Sequence, residues 1–146
     1  MHIHCFGCGA CNQQGLQLKS RWLEPGVRSE CQFQPQPWHC AGPTTCVNGG
    51  IMATIIDCHA ICTAMAASYL AEGRELSSLP AIHYATARLD VSYVRPAAID
   101  QPLRAMARMM AMGDKKAELA VELSSGAHLC ATATVLAVRV PENWSP

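Results

Sequence analysis

The sequence predicts an α+β fold in which an antiparallel sheet wraps one long central helix. Three observations predict it. One stretch, Gly50 to Ala71 (GIMATIIDCHAICTAMAASYLA), is long, alanine-rich and apolar nearly all round, the pattern of a buried helix. Segments before and after it alternate apolar and polar residues with the period of strands. Short turn signals join those segments, and strands joined by short turns run antiparallel. A helix of roughly 33 Å needs a curved sheet to cover it. One sheet cannot cover its whole circumference, and a second copy of the chain can supply the rest.

The elements follow in order. Residues 16–23 (LQLKSRWL) and 27–34 (VRSECQFQ) flank the turn signal Pro25-Gly26 and predict a hairpin. Gln34 to Pro43 holds three prolines and predicts a loop. Asn48-Gly49-Gly50 opens the helix, with Asn as N-cap and glycines that permit close backbone approach. The helix ends near Glu72-Gly73, with glycine at the expected C-terminal position. After a loop over 73–84, strands are predicted at about 86–94, 102–112, 115–124 and 127–140, with turns at Gly113-Asp114 and Ser124–Ala127.

A length of 146 residues predicts one domain over 1–146. Eleven basic residues balance eleven acidic ones, so net charge gives no reason to bind nucleic acid or an anionic membrane. Gly50–Ala71 has the length of a bilayer span. It carries Asp57 and His59 near its middle and has no Lys/Arg asymmetry at its flanks, so a buried helix away from any membrane is expected. The N-terminus shows no secretory or lipidation motif. Nine cysteines, an odd number, suit a reducing compartment, and a cytoplasmic location is expected.

The candidate chemistry centres on Asn48-Gly49-Gly50 and Asp57. The first N–H groups of a helix lack intrahelical partners and carry partial positive charge. A glycine there lets a carbonyl approach, which makes a possible oxyanion hole. Asp57 is the only acid between Glu30 and Glu72. Mid-helix in an apolar stretch, it is expected to be buried, with a raised pKa suited to base chemistry. Gly49 and Asp57 are eight residues apart, roughly 12 Å along the axis, too far to act together on one carbonyl group. Two antiparallel helices from two copies could bring one copy's Asp57 to the other's Gly49. A catalytic site here therefore predicts a dimer with composite sites.

The chain resembles the hotdog thioesterase superfamily, specifically the phenylacetate-pathway-like thioesterases. The likeness runs through Cys5-Phe6-Gly7-Cys8-Gly9, Asn12, Gly15-Leu16, Asn48-Gly49-Gly50-Ile51, Asp57 and Leu89-Asp90-Val91-Ser92-Tyr93-Val94-Arg95-Pro96. It implies a hotdog fold, acyl-CoA hydrolysis without a cofactor, a homodimer sharing one sheet, and frequent dimers of dimers. It also implies that the Gly49 N–H polarises the thioester carbonyl, that Asp57 is nucleophile or base, and that Thr86 lies near the attacking water. The family usually has His where Asn48 stands, and some members have Asn or Gln where Gly42 stands. Those departures keep open a non-catalytic protein that binds acyl-CoA or a small aromatic ligand. A hydratase acting on an acyl thioester has no support in the sequence.

Other candidates are weaker. Gly50 and Asn48 are expected at the substrate, and Arg95, Lys115 and Lys116 are candidates for CoA phosphates, though solvated charge is the ordinary role of each. Met106, Met109, Met110 and Met112 could line an acyl pocket. Cys5, Cys8 and Cys11, with His2 and His4 beside them, form a half-site of zinc type, and His39 or Cys40 could add a ligand. The favoured expectation is a turn whose cysteines pack under the sheet, with no metal. Cys58 or Cys46 as a nucleophile is disfavoured, because buried thiols are usually inert. His59, two residues from Asp57, faces another side of the helix and is expected to be a satisfied core or interface residue.

Overall fold

The computed structural model describes residues 4–141, 143 and 144. Six strands surround one helix. They are β1 (Ser20–Glu24), β2 (Arg28–Phe33), β3 (His83–Tyr93), β4 (Leu103–Met112), β5 (Lys116–Ser125) and β6 (His128–Val140), with α1 at Gly49–Ala71. The sheet order is β1-β2-β4-β5-β6-β3 and every pairing is antiparallel. This is the predicted α+β arrangement, a hotdog-like wrap of sheet on helix.

The helix boundaries follow the local signals. Asn48 is extended, and its Oδ1 accepts the Gly50 N–H at 2.7 Å. At the other end Gly73 adopts φ +63°, and Arg74 N–H closes on the Tyr69 carbonyl at 2.8 Å, a glycine-dependent stop. Ile55, Ile56, Leu103, Leu119, Leu123, Val121 and Val135 are fully buried between helix and sheet. Each such side chain contributes about 1.5–3 kcal/mol of transfer free energy. Glu30, buried on β2, is held between Arg21 of β1 and Arg104 of β4, which ties three strands together.

Two strand boundaries differ from the sequence prediction. The first strand starts at Ser20, not residue 16. Leu16 and Leu18 are buried as their alternation implies, but their N–H groups go to the carbonyls of Phe6 and Gly7, each at 2.8 Å. The N-terminal loop, rather than β2, completes the pairing there, and Gln17 between them takes φ 52°. The third strand begins at His83, inside the predicted loop, where it pairs with Val140.

The sheet covers only part of the helix. Eleven of the 23 helix residues are buried. Ile51, Ala53, Thr54, Asp57, Ile61, Cys62, Met65 and Ala66 remain partly exposed. Asp57 is thus not buried within the chain as expected, because it lies on the stripe that the sheet leaves open. The helix is apolar and long enough to cross a membrane by length and composition, yet its buried side packs on the sheet. Strand β3 forms one edge of the sheet, and Tyr93 and Val94 at its end are exposed.

Candidate active site

Helix α1 and edge strand β3 run antiparallel and are joined by three side-chain hydrogen bonds. The Tyr93 hydroxyl donates to the Gly49 carbonyl at 2.7 Å. Thr86 Oγ1 donates to Asp57 Oδ1 at 2.5 Å. Ser68 Oγ and the Tyr84 hydroxyl meet at 2.9 Å. A pleated strand turns alternate residues to one face. A bulge between Thr86 and Arg88 resets that alternation, so both Tyr84 and Thr86 on one side of it and Tyr93 on the other reach the helix.

At the helix start the Asn48 side chain engages the Gly50 N–H. The Gly50 N–H is thereby satisfied within the chain. The Gly49 N–H has no acceptor among the described residues, and it sits at the positive end of the helix dipole. A Cβ added at Gly49 would come to 3.4 Å from the Tyr93 ring. Tyr93 therefore fixes the Gly49 carbonyl and packs its ring beside Gly49. No role for it was legible from the sequence, because the contact joins residues 44 apart.

Thr86 occupies Asp57 Oδ1, and Oδ2 has no partner among the described residues. The Thr86 hydroxyl, expected near an attacking water, is directed at the Asp57 carboxylate. Within one chain Asp57 and the Gly49 N–H remain roughly 12 Å apart along the helix.

The remaining candidates separate. Arg95 lies just beyond Tyr93, near the helix start, and donates to His128 Nδ1 at 2.7 Å. Lys115 and Lys116 are exposed at the opposite end, where the β4–β5 turn meets Ser68, Ala71 and Glu72. One chain cannot bring all three to one ligand. The four methionines do not line one pocket either. Met106 and Met109 are partly buried and Met110 and Met112 exposed, because side chains alternate along β4 and a bulge falls between Met109 and Ala111.

His59 is buried, with Nδ1 at 2.7 Å from Ser20 Oγ and Nε2 at 3.2 Å from Ser29 Oγ. Thr63 donates to the His59 carbonyl and lies 2.6 Å from Ser29 Oγ. Thr63 therefore accepts from Ser29, Ser29 accepts from Nε2–H, and Nδ1 accepts from Ser20. Burial pushes the imidazole down to about 4, against smaller opposing effects of the Ser29 backbone and the Glu30 charge.

The cysteines also regroup. Cys11 is exposed and Cys46 lies beside Thr45, whereas Cys5, Cys8 and Cys58 converge. Hydrogen bonds from neighbouring thiols and burial push the Cys58 thiol up, which is wrong for a nucleophile. His39 accepts from Gln36 N–H through Nδ1 and Cys40 bridges to Val47, so neither joins that group. His4 is exposed, and His2 lies outside the described residues.

A helix cradled by a six-stranded antiparallel sheet, with a carboxylate on its open face, defines a hotdog-like protein of thioesterase type. The family model for the thioesterase superfamily matches residues 45–132, more than half the chain, and the chain belongs to that superfamily. A thioesterase superfamily protein from Shewanella loihica PV-4 is 28% identical, over 94% of this chain and 95% of that one, with a TM-score of 0.66. A putative thioesterase of Ralstonia eutropha JMP134, a phenylacetic acid degradation-related protein, is 25% identical over 84% and 85%, with a TM-score of 0.65. A hypothetical thioesterase from Streptococcus pneumoniae TIGR4, solved with coenzyme A, shares the fold at 10% identity over 84% and 85%, with a TM-score of 0.68. No curated protein matches the chain.

Proposed function

We propose that this protein hydrolyses acyl-CoA thioesters at sites shared by two copies of the chain. The observation that carries this reading is the Asp57–Thr86 hydrogen bond on the open stripe of the helix, which leaves one carboxylate oxygen free. The Gly49 N–H of one copy receives the charge that develops on the thioester oxygen. Asp57 of the other copy activates water or attacks the carbonyl through Oδ2, while Thr86 holds Oδ1. The apolar residues around Asp57, above all Ile61 and Met65, are covered by the second helix, which dries the site and strengthens both effects. Edge strand β3 supplies the seam along which two sheets join. Coenzyme A in a structure of the same fold supports the substrate class. Arg95 of one copy and Lys115 or Lys116 of another are the candidates for its phosphates.

The test is a panel of acyl-CoA substrates followed by thiol release, corrected for the nine protein thiols. Asp57→Asn should fold normally and lose at least about a hundredfold in rate. A fully active variant refutes the assignment. Mixing Asp57→Asn with an inactive Gly49 variant tests the shared site. Random two-fold pairing restores about a quarter of the activity if the groups come from different copies, and none if they come from the same copy.

One observation favours a second reading, a protein that binds acyl-CoA or a small aromatic ligand without turnover. Asn48 stands where the resembled family usually has His, and its Oδ1 is taken up by the Gly50 N–H at the helix start. Saturable binding with no thiol release across the panel would select that reading.

A further inference from the structure

The N-terminal loop and the helix bring four cysteines together from two distant segments. Cys5 and Cys8 come from Cys5-Phe6-Gly7-Cys8, and Cys58 and Cys62 are one helical turn apart, i and i+4 on one face. The sulfur atoms of Cys5, Cys8 and Cys58 all lie within 4.8 Å of one another, with Cys5 and Cys58 at 3.9 Å. The Cys62 thiol interacts with those of both Cys58 and Cys8. A tetrahedral zinc ion with Zn–S bonds of about 2.3 Å sets its sulfurs about 3.8 Å apart. Cys5 and Cys58 have that spacing and Cys8 lies within reach of it, whereas Cys62, outside the three-sulfur group, closes the fourth position by a turn of its side chain toward Cys58 and Cys8.

The loop is built to sit there. A Cβ on Gly7 would fall 2.5 Å from both Cβ and Sγ of Cys58, so only glycine lets the backbone between the two loop cysteines rest on the helix. Gly9 N–H closes the loop on the Cys5 carbonyl at 2.9 Å, and the Leu16 and Leu18 bonds to Phe6 and Gly7 hold it from the other side. Cys58 is buried and the other three are partly so, a position typical of a closed structural site.

We propose that Cys5, Cys8, Cys58 and Cys62 form a tetrahedral four-thiolate site for a zinc-class divalent ion, which clamps the N-terminal loop to the helix beside Asp57. This sets aside the expectation that the chain holds no metal, keeps Cys5 and Cys8 of the half-site read from the sequence, and replaces Cys11 by Cys58 and Cys62. Binding of the dication displaces the thiol protons, so the four sulfurs would hold it as thiolates. The same Cys58 is the residue next to Asp57, so the ion would fix the rotation of the helix where the carboxylate emerges.

The experiment is metal analysis of full-length protein purified under reducing conditions without chelator, followed by chelation and titration with Co²⁺. About one zinc per chain is expected, with sulfur-to-cobalt charge-transfer bands and the visible bands of tetrahedral cobalt on titration. Cys62→Ser and Cys5→Ser should lose the ion or bind it at least about tenfold more weakly, whereas Cys11→Ser and Cys130→Ser should keep it. Cys8→His, which retains a ligand atom, keeps the test interpretable if a serine variant does not fold. Wild-type protein that holds no ion and gives no thiolate bands with cobalt overturns the proposal. So does a Cys5–Cys8 disulfide in the freshly isolated protein, or full metal content in both serine variants. None of these readouts depends on thioester turnover.

Discussion

Acid should weaken this fold through one buried imidazole. His59 is neutral in the hydrogen-bond chain Ser20–His59–Ser29–Thr63, and burial lowers it from an ordinary 6.5 to about 4. Below pH 6.5 the unfolded chain takes up a proton that the folded chain refuses. The unfolded state then binds more protons, so stability falls as pH falls. The loss begins near 6.5 and is complete below about 4. Each tenfold of proton activity across that window is worth about 1.4 kcal/mol. Linkage then gives a loss of about 2 kcal/mol between pH 8 and pH 5, and about 3 kcal/mol at the limit. Glu30, lowered chiefly by its hydrogen bond from Arg104, acts in the same direction but only below the ordinary carboxylate range. His39, also lowered by burial, adds to the slope, so the informative comparison is with His59→Gln. Urea unfolding at fixed protein concentration, at pH 8, 7, 6 and 5, measures the slope, and imidazole proton NMR measures the titration itself. The reasoning fails if His59→Gln keeps the wild-type slope, or if the imidazole titrates at 6 or above.

Three further outcomes are expected. Gly49→Pro should keep the helix, because proline suits the first helical position and Asn48 is already extended. It removes the N–H, so thioester turnover should drop about 10²–10³-fold with unchanged circular dichroism. Tyr93→Phe deletes the donor to the Gly49 carbonyl. Worth about 1 kcal/mol, it should slow turnover up to about tenfold and scarcely move the melting temperature. Gly7→Ala drives a methyl into Cys58 and should cost about 1–3 kcal/mol, measured as a lower urea midpoint.

Local physics made much of this molecule legible. Asn48-Gly49-Gly50 and Glu72-Gly73 mark the ends of α1 within a residue, because capping is set by adjacent atoms. Turns at Gly113-Asp114 and Ser124–Ala127 were equally local. What escaped depends on long-range pairing. The alternation of Leu16 and Leu18 reported burial correctly but could not say that the N-terminal loop was their partner. The burial of Asp57 was overestimated because an apolar helix does not announce which side its own sheet will leave open. The Cys58–Cys62 spacing is a visible signal for ligands on one helix face. Only the fold joins it to Cys5 and Cys8, fifty or more residues away.

Strand β3 aims Thr86 and Tyr93 inward while its outer backbone amides have no strand beside them. Until a second copy joins it, a border of eleven residues is open to strand addition, and proteins commonly blunt such borders with proline or lysine. Here that remedy would bend the very ribbon that holds the carboxylate and the first helical carbonyl in place. Protection of the sheet border and the placement of Asp57 and Gly49 are therefore written into one stretch of backbone, and an engineer cannot adjust the first there without disturbing the second.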